Sequence, residues 1–168
     1  MITIRKALPA DAAFIAQHAY RLLDFKLPEW REQKKNEMIQ ADIHHITKAL
    51  ETADANDCVF IADDETGKPL GFIRIVMHED YYNGEQHAHV NDIVVIANAE
   101  GKGVGKLLLA KADAWAKDKQ ARWITLNVFD ENIRARAVYE KAGYKIEWVK
   151  YLKRSTRLIS RCMLITRQ

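Results

Sequence analysis

Residues 91–106 read Asn91-Asp92-Ile93-Val94-Val95-Ile96-Ala97-Asn98-Ala99-Glu100-Gly101-Lys102-Gly103-Val104-Gly105-Lys106. An apolar, β-branched run passes into three alternating glycines and then into a helical pattern. Glycines let the backbone approach a ligand closely, and the free N–H groups of a helix start, with the positive end of its dipole, suit a phosphate. A P-loop reading fails: Gly105-Lys106 is followed by Leu107, not by the hydroxyl residue that would bind magnesium, and position 100 is Glu. A dinucleotide fingerprint fits poorly, because the glycines alternate and no acidic residue ends a second strand about 20 residues on.

Working outward, Val104, Leu108, Ala112 and Trp115 form the apolar stripe of the following helix, and residues 123–128 are a β-rich run. Strand, helix and strand make a βαβ unit whose strands should be parallel. Asp130 or Asn132 caps a further helix through Ala142, with Gly143 as its C′ residue. Strands at 144–151 and 158–165, separated by a basic turn, then complete the sheet. On the N-terminal side, residues 2–4 predict a strand, and Asp11 is placed to cap a helix carrying Ile15, Ala19 and Leu22. A second helix starts near Glu32 with Ile39, Ile43, Ile46 and Leu50 on one face. Residues 58–62 and 70–77 read as a hairpin around Gly67, and a polar Asn83-Gly84 loop leads into a strand over 88–96. The order β-α-α-β-β-β-α-β-α-β-β defines a single α/β domain over residues 1–168 with a mixed sheet.

At 168 residues, 48% apolar and 29% charged, the composition is that of a globular domain. Net charge is +3, with Lys and Arg scattered apart from the stretch 150–161, so no nucleic-acid footprint is indicated. Cys58 and Cys162 sit in apolar strand contexts without metal spacing, as expected of buried, reduced thiols in a cytoplasmic protein. No apolar run has the length of a membrane span, and the N-terminus reads as a strand, not as a signal sequence.

Two blocks resemble the GNAT superfamily of acetyl-CoA-dependent N-acetyltransferases. The first is Asp92-Ile93-Val94-Val95 with Glu100-Gly101-Lys102-Gly103-Val104-Gly105, matching the family's strand and pyrophosphate loop. The second is Asn127-Val128-Phe129 with Asn132-x-x-Ala135-x-x-Val138-Tyr139-Glu140-Lys141-x-Gly143-Tyr144. The resemblance implies acetyl-CoA as cosubstrate and a sheet splayed between the 88–96 and 123–128 strands to admit its pantetheine arm. Amides of Lys102, Gly103, Val104, Gly105 and Lys106 would cradle the pyrophosphate, those of Ile93, Val94 and Val95 would pair with the arm, and Asn132 would hydrogen-bond it. Tyr139 stands at i+7 from Asn132 on the same helix face and would protonate the departing thiolate as an amine attacks the thioester. A strand amide near Val94 would stabilise the oxyanion.

Asp92 is the candidate base for the amine, and Asn91 stands where relatives often carry Glu. Alternation places Asn91 and Asp92 on opposite faces unless a bulge intervenes. Glu100 replaces the loop's usual Arg or Gln; turning it to solvent is the expected way to keep it from the pyrophosphate, with Lys102 and Lys106 in compensation. The acceptor is a small-molecule or peptide amine, and scattered acids such as Asp24, Glu29, Glu79 and Asp80 favour a cationic one. A non-catalytic acyl-CoA-binding or regulatory module is the alternative, which Tyr139 argues against. His87 and His89 share a strand face but lack a third ligand, so no metal site is expected. His44 and His45 read as surface residues, and Trp115, Trp123 and Trp148 as core. A homodimer is the base-rate assembly.

Overall fold

The computed structural model describes residues 1–52 and 54–153. Five strands form one sheet in the order β1 (Thr3–Lys6), β2 (Asp57–Asp63), β3 (Pro69–Glu79), β4 (Gln86–Val95) and β5 (Ile124–Leu126). Neighbours are antiparallel up to β4, and β4 and β5 are parallel, as the βαβ reading requires. The helices are α1 (Ala12–His18), α2 (Glu29–Glu32), α3 (Lys35–Thr52), α4 (Val104–Asp118) and α5 (Ile133–Lys141). The predicted second helix is therefore two, a single turn and then α3. Residues 144–151, expected as a strand, have no ladder pairing; the strand expected at 158–165 and Cys162 lie outside the described residues.

Each face of the sheet carries its own core. On one, Phe60, Ile73, Ile75, Ala88 and Val90 meet Val104, Leu108, Ala112 and Trp115 of α4. On the other, Val59, Ile61, Phe72 and Val94 meet Ile15 of α1 and Ile46 and Ala49 of α3. The α4 stripe is the one the apolar spacing predicts. Trp115 is buried, but Trp123 and Trp148, expected in the core, are 54% and 72% exposed; Trp123 stacks under Arg122 at 5.1 Å. Cys58 is buried, with no disulfide partner among the described residues. Asp11 precedes α1 but does not cap its N–H groups. Its carboxylate accepts from Leu8 N–H at 2.7 Å and takes the Arg5 fork at 2.7 and 2.8 Å, while Arg5 Nε reaches Asp63 at 2.6 Å.

Gly71 fixes the approach of β3 to β4. It lies opposite Val95, and a Cβ there would overlap the Val94 carbonyl oxygen and stand 3.2 Å from Val95 Cα. Backbone atoms cannot yield as a flexible side chain would. Gly71→Ala is accordingly expected to destabilise the protein by about 1–3 kcal/mol, measured by denaturant unfolding; unchanged stability would contradict this register.

Candidate active site

The site forms where β4 parts from β5. The two strands pair only over Ala88–Val90 with Ile124–Leu126, so residues 91–95 have an open edge. A bulge occurs at the same place: Ile75 faces Val90 and Arg74 faces Asp92, leaving Asn91 as the extra residue. The backbone shows the same shift independently. Ala88 N–H donates to Trp123 O, the residue just before β5, at 3.0 Å, whereas Ile96 N–H donates to Leu70 O on β3 at 2.9 Å, although both positions are even. Without the bulge, positions of equal parity would point the same way.

The bulge has two consequences. Beyond it, the amides of Ile93 and Val95 point to the open edge, where an extended ligand can pair with them, and the amide of Val94 points back to β3. Of the three amides expected to pair with the arm, that of Val94 is therefore turned to β3, and those of Ile93 and Val95 remain open. The side chains change face as well: Ala88 and Val90 lie in the α4 core and Val94 in the α1/α3 core. Asp92 shares its parity with Val94 and is turned toward α3, while Asn91 is exposed.

Asp92 is 7% exposed. Its cationic neighbour is Arg74, whose Nη1 is 3.6 Å from Asp92 Oδ2. Arg74 gives its fork to Asp57 instead, with Nε–Oδ1 at 2.8 Å and Nη2–Oδ2 at 2.7 Å. Burial, then the nearby charge of Asp42 on α3, push the Asp92 carboxyl up to about 7 against the pull of Arg74. Burial also raises Asp42. A carboxyl in this range suits proton exchange with an amine near neutral pH. The sequence reading singled out none of Arg74, Asp57 and Asp42. Arg74 left one legible signal, a charge inside the apolar run Phe72-Ile73-Arg74-Ile75-Val76.

At the C-terminal end of β4, Gly101 and Gly103 adopt φ of +74° and +82°, a conformation that favours glycine. Gly103 opens α4 with no side-chain cap, so the N–H groups of the first turn, Val104 to Lys106, are free to face an anion. Lys102 and Lys106 are exposed beside them. Glu100 does not turn to solvent as expected. It is paired with both Arg21 and Arg134, and Arg21 Nε also donates to Val95 O at 2.8 Å. Arg134, then Arg21, hold the Glu100 carboxyl below its ordinary range. Two guanidinium groups thus neutralise the acid at the mouth of the loop, and one of them ties the segment after α1 to the edge of β4.

On α5, Asn132 is the N-cap, its Oδ1 accepting from Ala135 N–H at 3.1 Å. That bond leaves its NH2 group available to a ligand. Gly143, with φ of +94°, follows the Ala142 C-cap as read from the sequence. Tyr139 packs against the α4 core with its ring centroid 6.0 Å from that of Tyr144. Burial raises the phenol, keeping it protonated near neutral pH. Asp92 and Tyr139 consequently belong to opposite faces of the sheet, with the open edge of β4 between them.

The chain matches the acetyltransferase (GNAT) family over residues 17–144. The match spans both glycine loop and capped helix. This protein belongs to the GNAT acetyltransferase family. Among proteins of known name, the GNAT chain is 31% identical over 146 residues to aminoglycoside N(6')-acetyltransferase type 1 of Stenotrophomonas maltophilia, covering 85% of this chain and 86% of that one. It is 32% identical over 93 residues to the D-amino-acid N-acetyltransferase HPA3 of Saccharomyces cerevisiae, covering 53% and 55%. In fold it is similar to AAC(6')-Iy in complex with a CoA bisubstrate analog, with a TM-score of 0.66, 21% identity and 92% and 99% of the chains covered. Likeness to the BH1408 tetramutant of Bacillus halodurans gives a TM-score of 0.75 at 18% identity, covering 91% and 99%.

This GNAT protein is an N-acetyltransferase with acetyl-CoA as cosubstrate, and its own features fit that donor. The glycine turn and uncapped first turn of α4 suit a pyrophosphate, and the open amides of Ile93 and Val95 suit an extended amide-bearing arm. His78, His87 and His89 gather at the other end of the β3–β4 pair, with His78 ring centroids 6.0 and 5.0 Å from the other two. His89 Nδ1 lies 2.7 Å from Thr125 Oγ1. Burial, then the charges of His78 and His87, lower His89 to about 4, leaving it neutral. No described helix is long and apolar enough to cross a membrane.

Proposed function

We propose that residues 1–168 act as one domain that acetylates a primary amine of a cationic small molecule, an aminoglycoside being the foremost class. The observation that carries this reading is Asp92, a buried carboxyl one residue past the bulge, facing α3 at the open edge of β4. The amine arrives from the α3 face, gives its proton to Asp92 and attacks the thioester directly. Bound acetyl-CoA supplies the activated acetyl group. The amides of Ile93 and Val95 orient the donor, Asn132 holds its arm, residues 102–106 hold its phosphates, and Tyr139 gives its phenolic proton to the leaving sulfur and takes back the proton that the acetylated nitrogen sheds. With Asp57 held by the Arg74 fork, Asp42 adds negative charge on the acceptor side, which favours a cation. The aminoglycoside acetyltransferase at 31% identity supports the same class.

The test is CoA release across aminoglycosides, polyamines, D-amino acids and peptide N-termini. Turnover is expected to be highest with an aminoglycoside. Turnover confined to amino acids or peptides would overturn the acceptor class while leaving the donor side intact.

A further inference from the structure

Two carboxylates, Asp57 of β2 and Asp92 of β4, compete for one guanidinium, that of Arg74 on β3, and a third, Asp42 of α3, acts on Asp92 through its charge. Arg74 is 12% exposed and cannot satisfy all of them. Its fork lies on Asp57 at 2.7 and 2.8 Å, and only Nη1 reaches toward Asp92, at 3.6 Å, beyond hydrogen-bond length. A bidentate guanidinium holds a carboxylate far more strongly than a distant one, and whichever acid wins the fork loses its proton affinity. We propose that Asp57 is a positioning residue for the transfer reaction: by holding the Arg74 fork, it keeps the guanidinium from closing on Asp92 and so preserves Asp92 as a base. The inference rests on the reading of Asp92 as the proton acceptor.

The groups that bear on Asp92 are Arg74 from β3, Asp57 from β2 and Asp42 from α3, with His45 beside Asp42. Asp57→Asn removes one negative charge and releases part of the fork, and both effects favour ionised Asp92. The Asp92 proton should therefore be lost at lower pH. Arg74→Gln removes the cation and leaves the three acids facing one another, so the Asp92 proton should be lost at higher pH. These opposite signs separate positioning from a general loss of structure.

The experiment follows the carboxyl carbon-13 shift of Asp92 with pH in full-length protein labelled at aspartate, assigned with Asp92→Asn, beside the pH profile of kcat/KM with acetyl-CoA. In Asp57→Asn, both the titration midpoint and the acid limb should fall by about one to three pH units; in Arg74→Gln, the midpoint should rise. A midpoint unmoved in Asp57→Asn, or lowered in Arg74→Gln, overturns the proposal. A midpoint that falls while the acid limb of the rate stays in place overturns Asp57's role in the reaction by another route. The coupling through Arg74 would then be real, and the reading of Asp92 as the base would be the part that fails.

Discussion

Tyr139→Phe is expected to lower kcat by about 10²–10⁴-fold, the usual contribution of a placed general acid, while leaving KM for acetyl-CoA and thermal stability close to those of the parent protein. The ring of Tyr139 packs against the α4 core and the Tyr144 ring, and phenylalanine preserves that packing. What is lost is a protonated phenol, kept protonated by its burial. Tyr144→Phe is the matched control. The Tyr144 hydroxyl is buried with no hydrogen-bond partner among the described residues, so its removal should spare activity at little cost in stability. Equal loss in the two variants would point to packing instead of proton donation.

Asp92→Asn should reduce kcat/KM at neutral pH by about 10²–10⁴-fold, with partial recovery as pH rises and more of the acceptor is already unprotonated. In the parent protein, Asp92 accepts a proton only when ionised, so activity should fall as pH drops through about 7, and that limb should vanish in the variant. Stability should move the other way. The folded protein binds the Asp92 proton more tightly than the unfolded chain, whose carboxyl has its ordinary value of 3.8. Ionisation therefore costs stability progressively as pH rises from about 4 to about 7. Asparagine carries no such cost, so Asp92→Asn should unfold at a higher temperature than the parent at pH 8 and show little advantage at pH 4. A loss of activity accompanied by a loss of stability at pH 8 would indicate disrupted structure.

Much of this arrangement is legible in the sequence because it is local. The α4 stripe, the glycine turn, the Asn132 cap and the Gly143 stop each depend on residues within one or two turns of one another. The bulge at Asn91 is not local: it exists only in the register of β4 against β3, where Val90 and Asp92 meet successive residues Ile75 and Arg74. Alternation posed the choice between Asn91 and Asp92 without resolving it. For the same reason, the charge state of Asp92 could not be read, since Asp42, Asp57 and Arg74 converge on it from three elements. Glu100 was misread because its neutralising arginines, Arg21 and Arg134, come from segments on either side of the loop. Trp123 falls in a core-like pattern, yet the ladder of β5 begins one residue later and its ring is exposed.

The central claim is that acetyl passes straight from acetyl-CoA to the amine at the open edge of β4, with no acetylated enzyme between them. Among the described residues the one thiol, that of Cys58, lies buried in the α4-side core, and the roles proposed for Asp92 and Tyr139 at the edge are those of a base and an acid. Initial rates measured at varied acetyl-CoA and several fixed concentrations of a turned-over amine test this directly. Intersecting double-reciprocal lines are predicted; parallel lines, with an acetyl group found on the protein before the amine is added, would contradict the account.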